Sequence, residues 1–200
     1  MLKSAICASL AHLQLVDSLL WRRNNSIKEH RCVVRVKGDA IVDLIYRDTV
    51  FTSSASTQQD LFDDVGSRLQ SLNLVTDDFI EKISQRELAY PTGIDMGCVC
   101  PGFPSYAIPH TDPAYVKAVR VVPVKIERPI EWRCLMNPVQ RLSVSFAFMI
   151  LNGDGTSQVG ILSQIIDFVN GLGAEGASSF FNESDEDLIY DRLSHVLNDV

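Results

Sequence analysis

The 200-residue sequence has no apolar run long enough to cross a bilayer as a helix; its longest, around Val144–Leu151, has the length of a strand. It also has no cysteine framework. Cys7, Cys32, Cys98, Cys100 and Cys134 are odd in number and irregular in spacing, which argues against a secreted disulfide scaffold and for a reducing cytoplasm. An intact export signal is missing too, because His12, Gln14 and Asp17 interrupt the apolar residues behind Met1-Leu2-Lys3. Positive charge is in deficit: a net charge of −7 argues against a general nucleic-acid binder. Cys98-x-Cys100 has no second Cys/His pair at ligand spacing, so no metal centre is expected. Gly153-x-Gly155 lacks the lysine of a phosphate-cradling loop and reads as a turn.

What is present has the composition of an ordinary globular chain, 46% hydrophobic and long enough for one sizeable core. Its charge is uneven. Residues 1–37 hold seven Lys and Arg against two acidic residues, a net +5; the remaining 11 basic and 23 acidic residues give −12. This marks residues 1–40 as a separate piece, with Ala5–Trp21 at helical spacing. It is either a poorly anchored helical extension or a docking arm for another subunit.

Past that segment, Ile41–Phe51 reads as one strand or a strand pair. Ser56 or Thr57 can cap a helix that carries Leu61, Val65, Leu69 and Leu72. Thr76 is a candidate cap for a second helix, with Phe79, Ile80 and Ile83 inward and Arg86-Glu87 at its far end. Tyr90-Pro91-Thr92-Gly93 breaks that helix. Val119–Ile126 reads as a strand in which Pro123 calls for an edge or a bulge. Leu142–Leu151 passes from alternation into a continuous apolar run, as a strand buried on both faces does. A helix with Val159, Leu162, Ile166 and Val169 should follow and stop at Gly171. Another should start near Ser184, with Ile189, Leu193, Val196 and Leu197 inward. Strands alternating with helices predict an α/β fold: a mixed β-sheet flanked by helices, a single domain over 41–200 with the helical extension 1–40 ahead of it.

His110 stands out chemically. It follows a short extended run, Tyr106–Ile108, and the rigid Pro109, where an imidazole can reach solvent on a fixed backbone. Taken alone it is also compatible with an ordinary loop histidine, and Arg86 with a solvated cation at a helix end. His12, His30 and His195 carry no motif.

The segments Arg86-Glu87-x-x-Tyr90-Pro91-Thr92-Gly93-Ile94 and Ala107-Ile108-Pro109-His110-Thr111-Asp112 together resemble an active-site signature. It is that of enzyme IIA domains of the bacterial phosphoenolpyruvate-dependent sugar phosphotransferase system, mannitol/fructose type. The Tyr-Pro-Thr-Gly form and the His-Thr-Asp ending are most similar to the galactitol-like branch. The resemblance spans roughly Leu44 to Gly173; the longer connection Asp95–Ser105 and the N-terminal segment depart from it. It implies phosphorylation of His110 on Nε2, with Nδ1–H oriented by a backbone carbonyl and Arg86 stabilising the phosphoryl group. Gln158 falls where some relatives carry a second histidine, and could donate from its amide. Thr111 could donate from its hydroxyl on adjacency alone. No cofactor is implied. The implied partners are the histidine phosphocarrier protein as donor, a cysteine of a IIB component as acceptor, and membrane IIC only indirectly. A regulatory module whose phosphorylation state controls binding to a regulator or kinase is the alternative. The oligomeric state stays open.

Overall fold

The stretch Leu142–Leu151 lies inside a 12-residue strand of a five-stranded mixed sheet in a computed structural model that describes residues 43–154 and 158–198. The strands are β1 (Phe51–Ser53), β2 (Gly93–Ile94), β3 (Tyr106–Ala107), β4 (Val119–Arg133) and β5 (Arg141–Asn152). The helices are α1 (Gln58–Ser71), α2 (Phe79–Ala89), α3 (Gln158–Phe181) and α4 (Glu186–Leu197). Strand order is β1-β4-β5-β3-β2. β4 and β5 pair antiparallel as a hairpin, while β1 adds to β4 and β3 to β5 in parallel. The α/β architecture expected from the sequence is the one observed.

The two sheet faces bury different side chains. One face sets Val122, Val124, Met149 and Leu151 against Leu61, Val65 and Leu69 of α1 and Phe79 and Ile83 of α2. Trp132 closes this face edge-on to Phe62, centroids 5.8 Å apart. The other face is aromatic: Phe146 stacks on Phe181 at 5.1 Å, and Tyr106 meets Phe148 edge-on at 5.9 Å. Lys125, the cross-strand partner of Phe146, is buried there and donates to the carbonyl of Phe181 at the end of α3 (2.5 Å). A cation at a helix C-terminus meets the negative end of the helix dipole.

Several local expectations need correction. Ile41–Phe51 is not a strand or strand pair in its described part: a 3-10 turn at Arg47–Thr49 precedes β1, and residues 41–42 lie outside the described residues. Arg47 and Asp48 there turn outward to pair with Asp191 and Arg120. Thr57 does cap α1, accepting from the Asp60 amide at 3.1 Å. Thr76 does not cap α2 with its side chain. Val75 bridges Val116 and the Thr76 amide donates to Tyr115, which holds this backbone extended and delays the helix to Phe79.

Pro123 sits in an interior strand, without an edge or a bulge at its own position. Val121 donates to Leu44 at 2.8 Å, so by strand alternation the Pro123 nitrogen also faces away from β5. The missing donor therefore opens no rung of the β4–β5 ladder. The bulge comes later, where Ile126 to Pro129 lie opposite Ser145 alone. α3 runs through Gly171 and breaks at Gly173, whose φ of 66° suits glycine. Its innermost residues include Ile161 and Ile165, with Leu162 only partly covered. Asp185 caps α4; Ile189, Leu193 and Leu197 point inward, but Val196 is exposed. Asn198 then accepts from the Leu44 and Ile45 amides, tying the end of the chain to the start of the described part. The segment 1–40, with its expected helix, lies outside the described residues.

Candidate active site

α2 ends because Pro91 forces the preceding residue out of helical geometry. Tyr90 closes the last turn by donating to Arg86 (2.8 Å). Arg133 of β4 reaches the otherwise open carbonyls of Glu87 and Leu88. The chain then enters β2, where a Cβ on Gly93 would meet the Arg133 carbonyl at 2.6 Å; the strand passes there only as glycine. Gly93 pairs with Ala107, and the Ile108 amide donates to Thr92 (3.2 Å). β5 holds the other side of β3, with Ile150 donating to Pro109 (3.0 Å) and bridging His110.

The backbone around His110 is thus held from both sides. Its ring is half-buried, with Nδ1 2.9 Å from the Ile108 carbonyl oxygen and Nε2 3.1 Å from Nη2 of Arg86. A carbonyl can only accept, so the proton belongs on Nδ1. Nε2 then carries the lone pair and accepts from Arg86. The guanidinium is anchored by its other arm to the Tyr90 carbonyl (2.8 Å) and lies 4.8 Å from the Tyr90 ring centroid. A neutral nucleophilic nitrogen and a fixed planar cation therefore stand in direct contact. That pairing suits capture of a phosphoryl group, whose oxygens match the guanidinium fork.

Of the expected site residues, the structure brings His110 and Arg86 together. Gln158 is the first residue of α3, but its side chain lies outside the described residues. Thr111 is buried, unlike the half-exposed ring beside it. Cys98 and Cys100 are exposed free thiols on the loop between β2 and β3. Among the described residues, no group of three His, Cys, Asp or Glu side chains could hold a metal ion.

Sequence reasoning missed the residues that brace this pair. Glu87, only 2% exposed, accepts from the Thr92 amide, the Thr92 hydroxyl and the Trp132 indole, each at 2.7 Å. Burial pushes its carboxyl above the usual range, while these three donors and the charge of Arg86 pull it back. A signal was available: Phe79, Ile83 and Glu87 are spaced four apart, so the carboxylate had to fall on the buried stripe and find donors. Asn152, at the end of β5, is also buried, and neither amide atom has a partner among the described residues.

Comparison with known proteins bears on the family and the fold. Residues 44–194 match the family model described as phosphoenolpyruvate-dependent sugar phosphotransferase system, EIIA 2. The fold is similar to that of the mannitol-specific cryptic phosphotransferase enzyme IIA CmtB from Escherichia coli. That match has 15% identity and a TM-score of 0.56, and covers 76% of this chain and 96% of that one. Nitrogen regulatory protein IIA-Ntr from Neisseria meningitidis is similar at 18% identity and a TM-score of 0.55, over 75% of this chain and 96% of the other. IIA mannitol from Escherichia coli is similar at 14% identity and a TM-score of 0.53, over 73% and 97%. A search of the curated proteins found no match.

Proposed function

The chain belongs to the phosphoenolpyruvate-dependent sugar phosphotransferase EIIA 2 family, and on that premise we propose that His110 is its phosphoryl carrier. The observation that supports this most is the ring's arrangement, with Nδ1–H donating to Ile108 and Nε2 facing Arg86. The donor is the phosphorylated histidine phosphocarrier protein. The Nε2 lone pair attacks phosphorus in line, the donor's N–P bond breaks, and its electron pair returns to the donor imidazole. His110 keeps its Nδ1 proton throughout, so Nε2 needs no base. Arg86 exchanges its bond to Nε2 for bonds to the phosphoryl oxygens. The reverse geometry serves the next step, in which a cysteine thiolate of a IIB component attacks phosphorus and Nε2 recovers its pair. Positioning and charge stabilisation do the work, without a cofactor. The family resemblance also makes Gln158 a candidate amide donor to the group.

The setting is cytoplasmic, and membrane IIC is reached only through IIB. The Tyr90-Pro91-Thr92-Gly93 and His110-Thr111-Asp112 sequences favour a galactitol-like branch of sugar uptake. With phosphoenolpyruvate, enzyme I and the phosphocarrier protein, the chain should gain one acid-labile, alkali-stable phosphoryl group. His110→Ala should gain none; label remaining on that variant would place the carrier elsewhere. A second reading, control of a regulator or kinase by the phosphorylation state, is favoured by the net +5 of residues 1–37. A protein that accepts phosphate but passes it to no IIB partner would support that reading.

A further inference from the structure

The site as described uses Arg86 and His110 and leaves the buried carboxylate between their elements without a part in the chemistry. Glu87 follows Arg86 in the last turn of α2. Its Oε1 accepts from both the Thr92 amide and the Trp132 indole, and its Oε2 accepts the Thr92 hydroxyl. The Thr92 carbonyl in turn accepts from the Ile108 amide, and the Ile108 carbonyl accepts from Nδ1 of His110. From the carboxylate to the imidazole the path is continuous, at 2.7, 3.2 and 2.9 Å between heavy atoms. It starts one residue from the other catalytic side chain.

We propose that Glu87 is a positioning residue for phosphoryl transfer, locking the helix turn that carries Arg86 to the Thr92–Ile108 backbone that orients His110. The inference rests on the reading of His110 as the carrier and adds to it the means by which the two charge-bearing groups keep their spacing. An apolar side chain would fill the same space without the desolvation cost of a buried carboxylate. What an apolar residue lacks is the ability to gather three donors from two other segments at once. The hydrogen bonds fix Thr92 against α2, and through Ile108 they fix which nitrogen of His110 carries the proton. Loss of the relay frees the ring to populate the other tautomer, in which Nε2–H faces a guanidinium and cannot attack phosphorus.

The relay predicts an order among substitutions. Glu87→Gln can keep all three contacts, with its oxygen accepting from Thr92 N–H and Trp132 and its amide donating to the Thr92 hydroxyl oxygen. Thr92→Val loses only the hydroxyl bond. Glu87→Ala loses everything. Imidazole nitrogen shifts of His110, read by NMR on the full-length chain, should show a single tautomer with Nδ1 protonated in the wild type and in Glu87→Gln. The shifts should move partway toward averaging in Thr92→Val and further in Glu87→Ala. Phosphoryl transfer from the phosphocarrier protein should fall about 10- to 100-fold in Glu87→Ala, on the scale of an ångström-level misplacement. It should fall about three- to tenfold in Thr92→Val, the effect of one hydrogen bond. Glu87→Gln should restore most of the loss. If Glu87→Ala does not fold, Thr92→Val carries the decision by itself. A folded Thr92→Val chain with wild-type His110 shifts and wild-type transfer overturns the relay, as would the same result in Glu87→Ala. A wild-type chain that accepts no phosphate overturns the carrier reading instead, so the two failures are distinguishable.

Discussion

The end of α2 and the underside of α3 are held by different means. At the end of α2 the contacts are polar: Glu87 gathers three donors, Arg133 covers the open carbonyls, and Arg86 spans Tyr90 and His110. Under α3 the contacts are aromatic, with Phe146, Phe148, Phe168, Phe180 and Phe181 in mutual contact. Apolar packing tolerates small displacements with a smooth cost, whereas a hydrogen bond weakens steeply with distance and angle. The helix end that holds an imidazole and a guanidinium 3.1 Å apart is the one fixed by directional contacts. Apolar packing on both faces of the sheet supplies cohesion.

Substitutions in these two regions should therefore fail differently. His110→Ala is the largest expected effect, a complete loss of phosphorylation with the melting temperature nearly unchanged; a radiolabel assay beside thermal unfolding checks both. Arg86→Ala should slow transfer in both directions by roughly ten- to a thousandfold, the scale of one lost charge-assisted contact. Arg86→Lys should recover only part, because a point charge does not reproduce the fork. On the aromatic face, Phe148→Ala should cost about 3–5 kcal/mol of stability in denaturant titrations. At temperatures where it remains folded it should still transfer near the wild-type rate. A transfer defect larger than its unfolded fraction would erase the contrast between the two regions.

A chain beginning at Asp39 should melt close to the full-length protein and still accept phosphate. It retains the contacts of Leu44 and Ile45 with Asn198 and of Leu44 with Val121. Aggregation or a much lower melting temperature would move the domain boundary upstream.

Glu87→Gln provides the smallest and most specific effect. Burial is the leading influence on Glu87, and it raises the carboxyl above its unfolded value. Between those two values the native chain binds more protons than the unfolded one, so wild-type stability falls as pH rises through that window. Glu87→Gln has no such proton to lose. Its melting temperature relative to wild type should therefore climb as pH rises above the ordinary glutamate range and level off beyond the folded value. A difference independent of pH would mean that the carboxylate bears no burial cost.

Much of the layout was legible in the sequence because the period of the apolar residues reports it directly. β5 shows as a continuous apolar run, and α1 shows as an i, i+4 stripe behind a threonine cap. The pair His110 and Arg86 was legible through the two separated motif segments. What escaped depends on long-range partners. Thr76 looks like a cap until Tyr115 takes its amide and Val116 pairs with the neighbouring Val75. Pro123 looks like an edge residue until Val121 shows which side of β4 its nitrogen faces. Gly171 has the composition of a helix stop, but the break in backbone geometry falls two residues on. The bracing by Glu87 joins α2, β4 and the turn before β2, segments up to 45 residues apart, and no local pattern encodes that meeting.

The central claim is that Nε2 of His110, and not Nδ1 or another histidine, carries the phosphoryl group. The direct measurement is NMR of nitrogen-labelled protein phosphorylated by phosphoenolpyruvate, enzyme I and the phosphocarrier protein. The account predicts that phosphorus couples to Nε2 of His110 while Nδ1 keeps its proton against Ile108. Phosphorus on Nδ1 of His110, or on His12, His30 or His195, would contradict it.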